Sequence, residues 1–349
     1  MKIGLVGFPG SGKTTVFNAL TGLAAETGYG AARGKTNLGV VKVPDVRVDA
    51  LAKIFKPKKN VYAEITFCDV ALATTPGQSR GLDDQILRAM REVDALCHVV
   101  RGFASSAGET ARPLREAHDF EAEMNLSDLI LVENRLERLK KEKAKPAEKE
   151  LLGKLKAHLD AGQPLRSLDL GATDLVAIAG YRFLTLKPLM LILDVAEADA
   201  AAPPPADLAE HARTNGLGLV VLAGAVEMDI AQMAPEDQKE FVASLGLDEP
   251  AAGRFIRAAY ALCDLISFLT VGEDECRAWP LRKGSSAHKA AGKIHSDIER
   301  GFIRAEVMRW EDLVRLGSEA KCREAGRLRL EGKDYVVADG DVINFRFNV

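Results

Sequence analysis

No apolar stretch in this chain of 349 residues approaches the roughly 20 residues that a membrane-spanning helix needs, so no span and no membrane partner is expected. An excess of charge of one sign is missing too: 47 Lys and Arg stand against 50 Asp and Glu, a formal net charge of −3. Such a chain has no global field to draw it to nucleic acid or membrane; a partner of that kind needs a local patch, and no DNA specificity is evident. Cysteine is sparse. Cys68, Cys97, Cys263, Cys276 and Cys322 are odd in number, scattered and without metal-ligand spacing. Cys68 and Cys97 lie inside apolar runs, where a small buried side chain is the expected role, and the pattern fits a reducing cytosol. The chain enters a strand by Ile3, so no secretory signal is read and the expected location is cytoplasmic.

What is present is concentrated at the start. Residues Gly7-Phe8-Pro9-Gly10-Ser11-Gly12-Lys13-Thr14 match the phosphate-loop pattern G-x-x-x-x-G-K-[ST] without a gap. The short apolar run Ile3 to Val6 before them reads as a buried strand, and Thr15 to Leu20 after them has the apolar spacing of a first helical turn. Gly7, Gly10 and Gly12 let the backbone curl so that successive amides point at phosphate oxygens. Lys13 brings charge to the β and γ phosphates, and the Thr14 hydroxyl can ligate Mg²⁺. The expected phosphate-binding set is therefore Gly7, Pro9, Gly10, Ser11, Gly12, Lys13, Thr14 and Thr15, strengthened by the helix dipole. A nucleoside triphosphate, ATP or GTP, is the expected ligand.

Three composition regimes follow. Short apolar runs alternate with helical patterns from Met1 to about His118 and again from about Lys187. Val61 to Val70, Ala95 to Val100, Leu189 to Leu193 and Leu217 to Leu222 read as strands, so an α/β fold with a parallel sheet and helices on both faces is expected. Nucleotide then sits beyond the carboxyl ends of the strands. Between these halves, Leu129, Val132, Leu136 and Leu139, then Leu152, Leu155 and Leu159, repeat a three-four spacing around the basic run Lys140 to Pro146. That reads as two antiparallel helices with a charged tip, or as an ordinary surface pair of the main domain. The lysines serve as a solvated tip or as a contact for an acidic partner such as ribosomal RNA. From Leu265 onward, apolar runs at Ile266 to Val271, Tyr335 to Val337 and Val342 to Val349 surround a helical stretch, Ala287 to Glu299, as in a small α+β domain. Asp339-Gly340-Asp341 reads as a tight turn.

Several stretches together resemble the YchF subfamily of Obg-type P-loop GTPases, the Obg-like ATPases. They are Asn37 to Asp45, Arg91 to Arg101 and Arg135 to Leu139, then Arg277-Ala278-Trp279, Lys283-Gly284, Ile294 to Asp297, Gly301 to Glu306, Leu330 to Tyr335 and Asn344 to Val349. The resemblance implies a Ras-like P-loop domain over residues 1–118 and 187–264, a helical hairpin insertion over 119–186, and a TGS domain, a ubiquitin-like β-grasp module, over 265–349. It also implies Mg²⁺, slow hydrolysis, ATP often preferred over GTP, and association with ribosomes. Asp69 closes a strand where the family places the carboxylate that reaches Mg²⁺ through water, so Thr14 and Asp69 are the candidate metal ligands. Asp194, Val195 and Glu197 fall where the family reads the base.

The chain also departs from that family. Gly10-Ser11 stands where the family shows Asn-Val. Leu72 replaces the glycine whose amide meets the γ-phosphate, and Gly77 lies too far along to substitute. Arg33 falls at the position of the Mg²⁺-ligating Thr, with Thr36 at the wrong offset, inside the glycine-rich run Gly28 to Gly34. Asp194 replaces an Asn; its carboxylate accepts hydrogen bonds but lacks the amide's donor, and a helix N-cap is the alternative reading. No catalytic residue is assigned: Gln78 is too far along, and His98 in its apolar strand reads as a core or rim histidine. Two functions follow, a YchF-like NTPase with slow turnover and a family member that holds nucleotide without cycling. A small-molecule kinase suits the phosphate loop alone but not the TGS-like end. In that last regime Arg282, Lys283, Lys289, Lys293 and Arg304 suit RNA, while Asp297, Glu299 and Glu306 are interleaved, and simple packing on the nucleotide domain is the alternative.

Overall fold

The computed structural model describes residues 1–23, 25, 37–70, 82–105, 107–141 and 146–348. Arg33, Thr36, Leu72, Gly77, Gln78, the run Gly28 to Gly34 and the centre of the lysine-rich tip lie outside the described residues. The strands in chain order are β1 (Lys2–Val6), β2 (Asn37–Lys42), β3 (Lys59–Val61), β4 (Glu64–Asp69), β5 (Ala95–Arg101), β6 (Leu189–Asp194), β7 (Gly218–Leu222), β8 (Leu265–Thr270), β9 (Glu275–Arg282), β10 (Phe302–Arg309), β11 (Arg329–Glu331) and β12 (Asp341–Phe347). The α-helices begin with α1 (Lys13–Thr21), α2 (Val46–Phe55), α3 (Asp84–Arg91), α4 (Pro113–Lys141), α5 (Pro146–Asp160), α6 (Ala172–Ile178) and α7 (Ala206–Thr214). They continue with α8 (Gly224–Gln232), α9 (Pro235–Ser244), α10 (Ala251–Leu262), α11 (Ala287–Ile294), α12 (Ser296–Arg300), α13 (Trp310–Leu316) and α14 (Glu319–Glu324). These elements form two compact units, one of residues 1–40 and 66–255, the other of 41–65 and 256–349.

The first unit is built on a sheet of order β2-β4-β1-β5-β6-β7, in which β1 pairs in parallel with β4 and β5, β5 with β6, and β6 with β7. Its central strands are apolar on both faces because helices cover both; every residue of β6 is buried. Val6, Leu96, Val100, Leu191 and Leu193 share a core with Phe120 and Met124 of α4 and Leu208 of α7. α4 then runs on with α5. Val132 and Leu139 pack with Leu152, Leu155 and Leu159 in a separate apolar seam, and Arg135–Glu148 and Lys156–Glu133 pairs flank it in antiparallel register. One buried carboxylate fixes the base of this helix pair. Asp128 on α4 accepts the Leu184 and Thr185 amides at 3.1 and 2.7 Å and the Thr185 hydroxyl at 2.9 Å, and pairs with Arg91 of α3 at 2.9 Å.

The second unit has a mixed sheet of order β11-β10-β12-β8-β9-β3, antiparallel except for the β12–β8 and β3–β9 pairs. α11 lays Ala287, Ala290 and Ala291 into a core of Phe268, Leu281, Val307, Ile343 and Phe345. Asp339 to Asp341 is the expected turn, with Gly340 at φ +85° and its amide on the Ser267 carbonyl at 2.8 Å.

Four sequence expectations change here. The run Val61 to Val70 is not one strand: the chain leaves the β9 edge after Val61, the Ala63 carbonyl accepts the Val43 amide at 2.8 Å, and β4 begins at Glu64 in the other sheet. Residues 41–65, read with the nucleotide domain, accordingly fall in the second unit, where Arg47 of α2 pairs with Asp339 at 2.9 Å. Tyr335 to Val337 is not a strand. Its Tyr335 carbonyl and Val337 amide bond to the backbone at Ala287 and Ser285 instead of a neighbouring strand. The stretch Ala287 to Glu299 is two helices, broken at an extended His295 whose ring accepts the Asp297 amide.

Candidate functional site

β1 delivers the chain to the carboxyl edge of the first sheet, and the loop from Gly7 to Gly12 turns it into α1. Gly7, Gly10 and Gly12 sit at φ +146°, +79° and +94°, conformations that a side chain rarely adopts. Two of them also have no room for one: a Cβ on Gly7 would lie 2.4 Å from the Val99 carbonyl oxygen, and on Gly12 1.9 Å from Asp194 Oδ2. Phe8 holds the loop down edge-on against Phe120. Pro9 and Gly10 are exposed, Thr15 is half-buried, and Ser11 donates its amide to the Phe8 carbonyl at 3.2 Å. The Ser11 hydroxyl is buried without a partner among the described residues. α1 starts with no side-chain cap and no acidic residue in its first turn, which leaves its N-terminal amides and dipole for an anion.

Lys13 is buried, its ammonium donating to the Phe8 carbonyl at 3.1 Å. Burial lowers its pKa to about 8, partly offset by the Asp69 carboxylate. Thr14 donates its hydroxyl to Asp69 Oδ2 at 3.0 Å, and Asn37 of β2 reaches the same oxygen at 3.4 Å. Asp69 Oδ1 is buried with no hydrogen-bond partner among the described residues. A hydroxyl and an orphaned carboxylate oxygen are the hard oxygen donors that Mg²⁺ takes, so the residues fit the ion that the sequence implies. Asn37 is absent from the sequence-derived site, although it opens the stretch Asn37 to Asp45 that carried part of the family resemblance.

Of the three expected base residues, Asp194 lies against the loop. It ends β6, 4 % exposed, with Oδ2 beside Gly12 and Oδ1 accepting the Gly224 amide at 2.8 Å. The N-cap alternative thus has a counterpart in the fold, but the helix whose first amide it takes is α8, thirty residues on, and not the turn that follows it. Burial raises the Asp194 pKa to about 7, with the Gly224 amide opposing. Val195 is buried and bonded to the Leu222 carbonyl, while Glu197 is exposed at the start of a short 3-10 turn. His98 is a core residue: fully buried, stacked on Phe120 at 4.0 Å, both ring nitrogens unpartnered among the described residues, its pKa lowered to about 3 by burial and then by Lys13. It stays neutral at any physiological pH.

Residues 2–135 match the family model described as a 50S ribosome-binding GTPase. Residues 265–348 match YchF-GTPase_C, described as a protein of unknown function. Over its whole length the chain is 41% identical to the ribosome-binding ATPase YchF of Haemophilus influenzae, covering 100% of this chain and 99% of that one. The chain belongs to the YchF family. Its relative of the same description in Bacillus subtilis is 38% identical, with both chains covered in full. The structure of the YchF GTPase of Schizosaccharomyces pombe superposes with a TM-score of 0.86 at 30% identity, over 99% of this chain and 97% of that one. The P-loop architecture and the family read from the sequence both stand, and the mixed sheet of the second unit is consistent with a TGS-like module. No helix among the described residues is long and apolar enough to cross a membrane.

Proposed function

We propose that the chain is a YchF-type nucleoside triphosphatase that binds ATP or GTP with Mg²⁺ at the loop between β1 and α1, hydrolyses it slowly to diphosphate and phosphate, and associates with ribosomes in the cytoplasm. The observation that carries the reading is the cluster at the open start of α1: a buried ammonium, Lys13, beside Thr14 and an Asp69 carboxylate with one oxygen unpartnered among the described residues. The Gly7 to Thr15 segment supplies amides to the phosphates, and Lys13 neutralises the β and γ oxygens. Mg²⁺, held by Thr14 and, through water, by Asp69, would neutralise further phosphate charge and fix the geometry of the transferred group. Asp194, Val195 and Glu197 line the base side. ATP is the favoured base choice because the relatives of highest identity above are named ATPases. The division into nucleotide domain, helical hairpin (119–186) and TGS domain (265–349) belongs to the same proposal.

The test is titration of ATP and GTP against wild type and Lys13→Ala, with phosphate release measured alone and with ribosomes, and co-sedimentation with ribosomes. Lys13-dependent binding with phosphate release supports the proposal. Binding without any Lys13-dependent release favours a nucleotide-holding protein that does not cycle, the reading suggested by Arg33 and Leu72 in the sequence. Equal nucleotide affinity in wild type and Lys13→Ala refutes both.

A further inference from the structure

Among the described residues no cation pairs with the Asp194 carboxyl group. It is 4 % exposed, wedged between Gly12 and Gly224, with a single amide donor on Oδ1 and no hydrogen bond to Oδ2 among the described residues. The charged groups on the surrounding elements are all directed elsewhere. Arg101, its register neighbour on β5, turns to Glu116 and to the Glu109 carbonyl. Lys13 of α1 is bonded to the Phe8 carbonyl, and Glu227 of α8 accepts the amides of Ala251 and Ala252. Glu197 and Asp199 on the following turn are exposed, and β7 carries no charge. An ionised carboxylate in such a place is costly unless paired; a protonated one costs much less.

We infer that Asp194 functions as a neutral carboxylic acid, Oδ1 accepting the Gly224 amide and the Oδ2 proton facing the phosphate loop at Gly12, and that nucleotide bound to that loop holds this proton more tightly than the free protein does. As an acid Asp194 donates as well as accepts, which restores the donor that the sequence reading counted as lost with the amide. The second half rests on the nucleotide reading above: triphosphate or diphosphate charge beside Gly12 further disfavours the carboxylate. In the free protein burial already places the titration near pH 7. The bound-state value is higher still, so affinity is full below about pH 7 and falls as pH rises above it, by at most about tenfold per pH unit for one proton.

The experiment titrates ADP against the full chain, wild type and Asp194→Asn, from pH 5.5 to 9, and follows the Asp194 side-chain carboxyl by ¹³C NMR in nucleotide-free wild type. The Lys13 and phosphate titrations are common to both proteins and cancel in the ratio of their affinities. The expected ratio of wild type to Asp194→Asn is constant up to pH 7 and then falls about tenfold per unit, with a carboxyl midpoint near 7. A ratio independent of pH, or a carboxyl midpoint near 4, overturns the inference. If Asp194→Asn does not fold, the wild-type carboxyl midpoint decides it. If wild type and Lys13→Ala bind ADP equally, the nucleotide reading fails, and the midpoint alone still confirms or overturns the neutral acid.

Discussion

Replacing Gly12 by alanine tests the loop and its neighbour together. At φ +94° a residue with a Cβ pays a backbone cost of about 1–2 kcal/mol. The added Cβ would also stand 1.9 Å from Asp194 Oδ2, so the carboxyl must withdraw. Withdrawal breaks its 2.8 Å bond to the Gly224 amide, a loss of about 0.5–1.5 kcal/mol. The expected destabilisation is the sum, about 1.5–3.5 kcal/mol, or roughly 3–14 °C in the melting temperature of a unit of this size. Thermal unfolding of the nucleotide-free protein measures it. The two contributions separate in a double-mutant cycle: in the Asp194→Ala background only the backbone cost remains, so the pair should couple by about 1 kcal/mol. A Gly12→Ala protein within about 0.5 kcal/mol of wild type would show that neither the dihedral nor the close approach constrains the loop, and strict additivity with Asp194→Ala would show that the close approach does not.

Lys13→Ala should lower triphosphate affinity about 10- to 100-fold, the worth of a lost charged contact, while leaving the nucleotide-free protein no less stable, because its ammonium is buried there. The sign with pH follows: the folded value is lowered from 10.5 to about 8, so the cost is full below pH 8 and is relieved as pH rises towards 10.5. Wild type should therefore gain stability relative to Lys13→Ala over that window in denaturant titrations. Asp128→Ala removes the acceptor shared by Leu184, Thr185 and Arg91 and should cost about 3–5 kcal/mol, read by the same titrations; a cost below about 1 kcal/mol would mean that the base of the helix pair is held by its apolar seam. His98→Leu removes a buried ring with two unpartnered nitrogens and should stabilise the fold by about 1 kcal/mol in a melting experiment; a loss of stability would show that the stack on Phe120 outweighs them.

Much of this molecule was legible in its residue order because the relevant physics is local. A phosphate loop is eight consecutive residues whose glycines set the dihedrals, and the structure has all three at positive φ. β5 and β6 were legible for a related reason: a strand covered on both faces must be largely apolar, and Ala95 to Val100, His98 apart, and Leu189 to Leu193 are. The seam of α4 and α5 follows from a repeat of three and four that puts Val132, Leu139, Leu152, Leu155 and Leu159 on facing stripes. The misread runs have equally specific causes. Val61 to Val70 is continuous in propensity, but hydrogen-bonding partners in two different sheets cut it at Tyr62 and Ala63. Tyr335 to Val337 has strand residues whose backbone groups find the start of α11 instead of a ladder.

By itself the sequence determined the family, the P-loop fold and which side chains carry charge, hydroxyl or no side chain at all at the start of α1. Those are properties of residues adjacent in the chain, or of patterns with a short period. Only the tertiary structure decided that residues 41–65 join the second unit, that Asn37 reaches Asp69, and that Asp194 is wedged between Gly12 and Gly224. The protonation of a carboxyl depends on solvent exclusion and on the partners that surround it, and those come from strands and helices far apart in sequence. Asp194 reads as an anion in the sequence; what surrounds it in the fold raises its pKa to about 7.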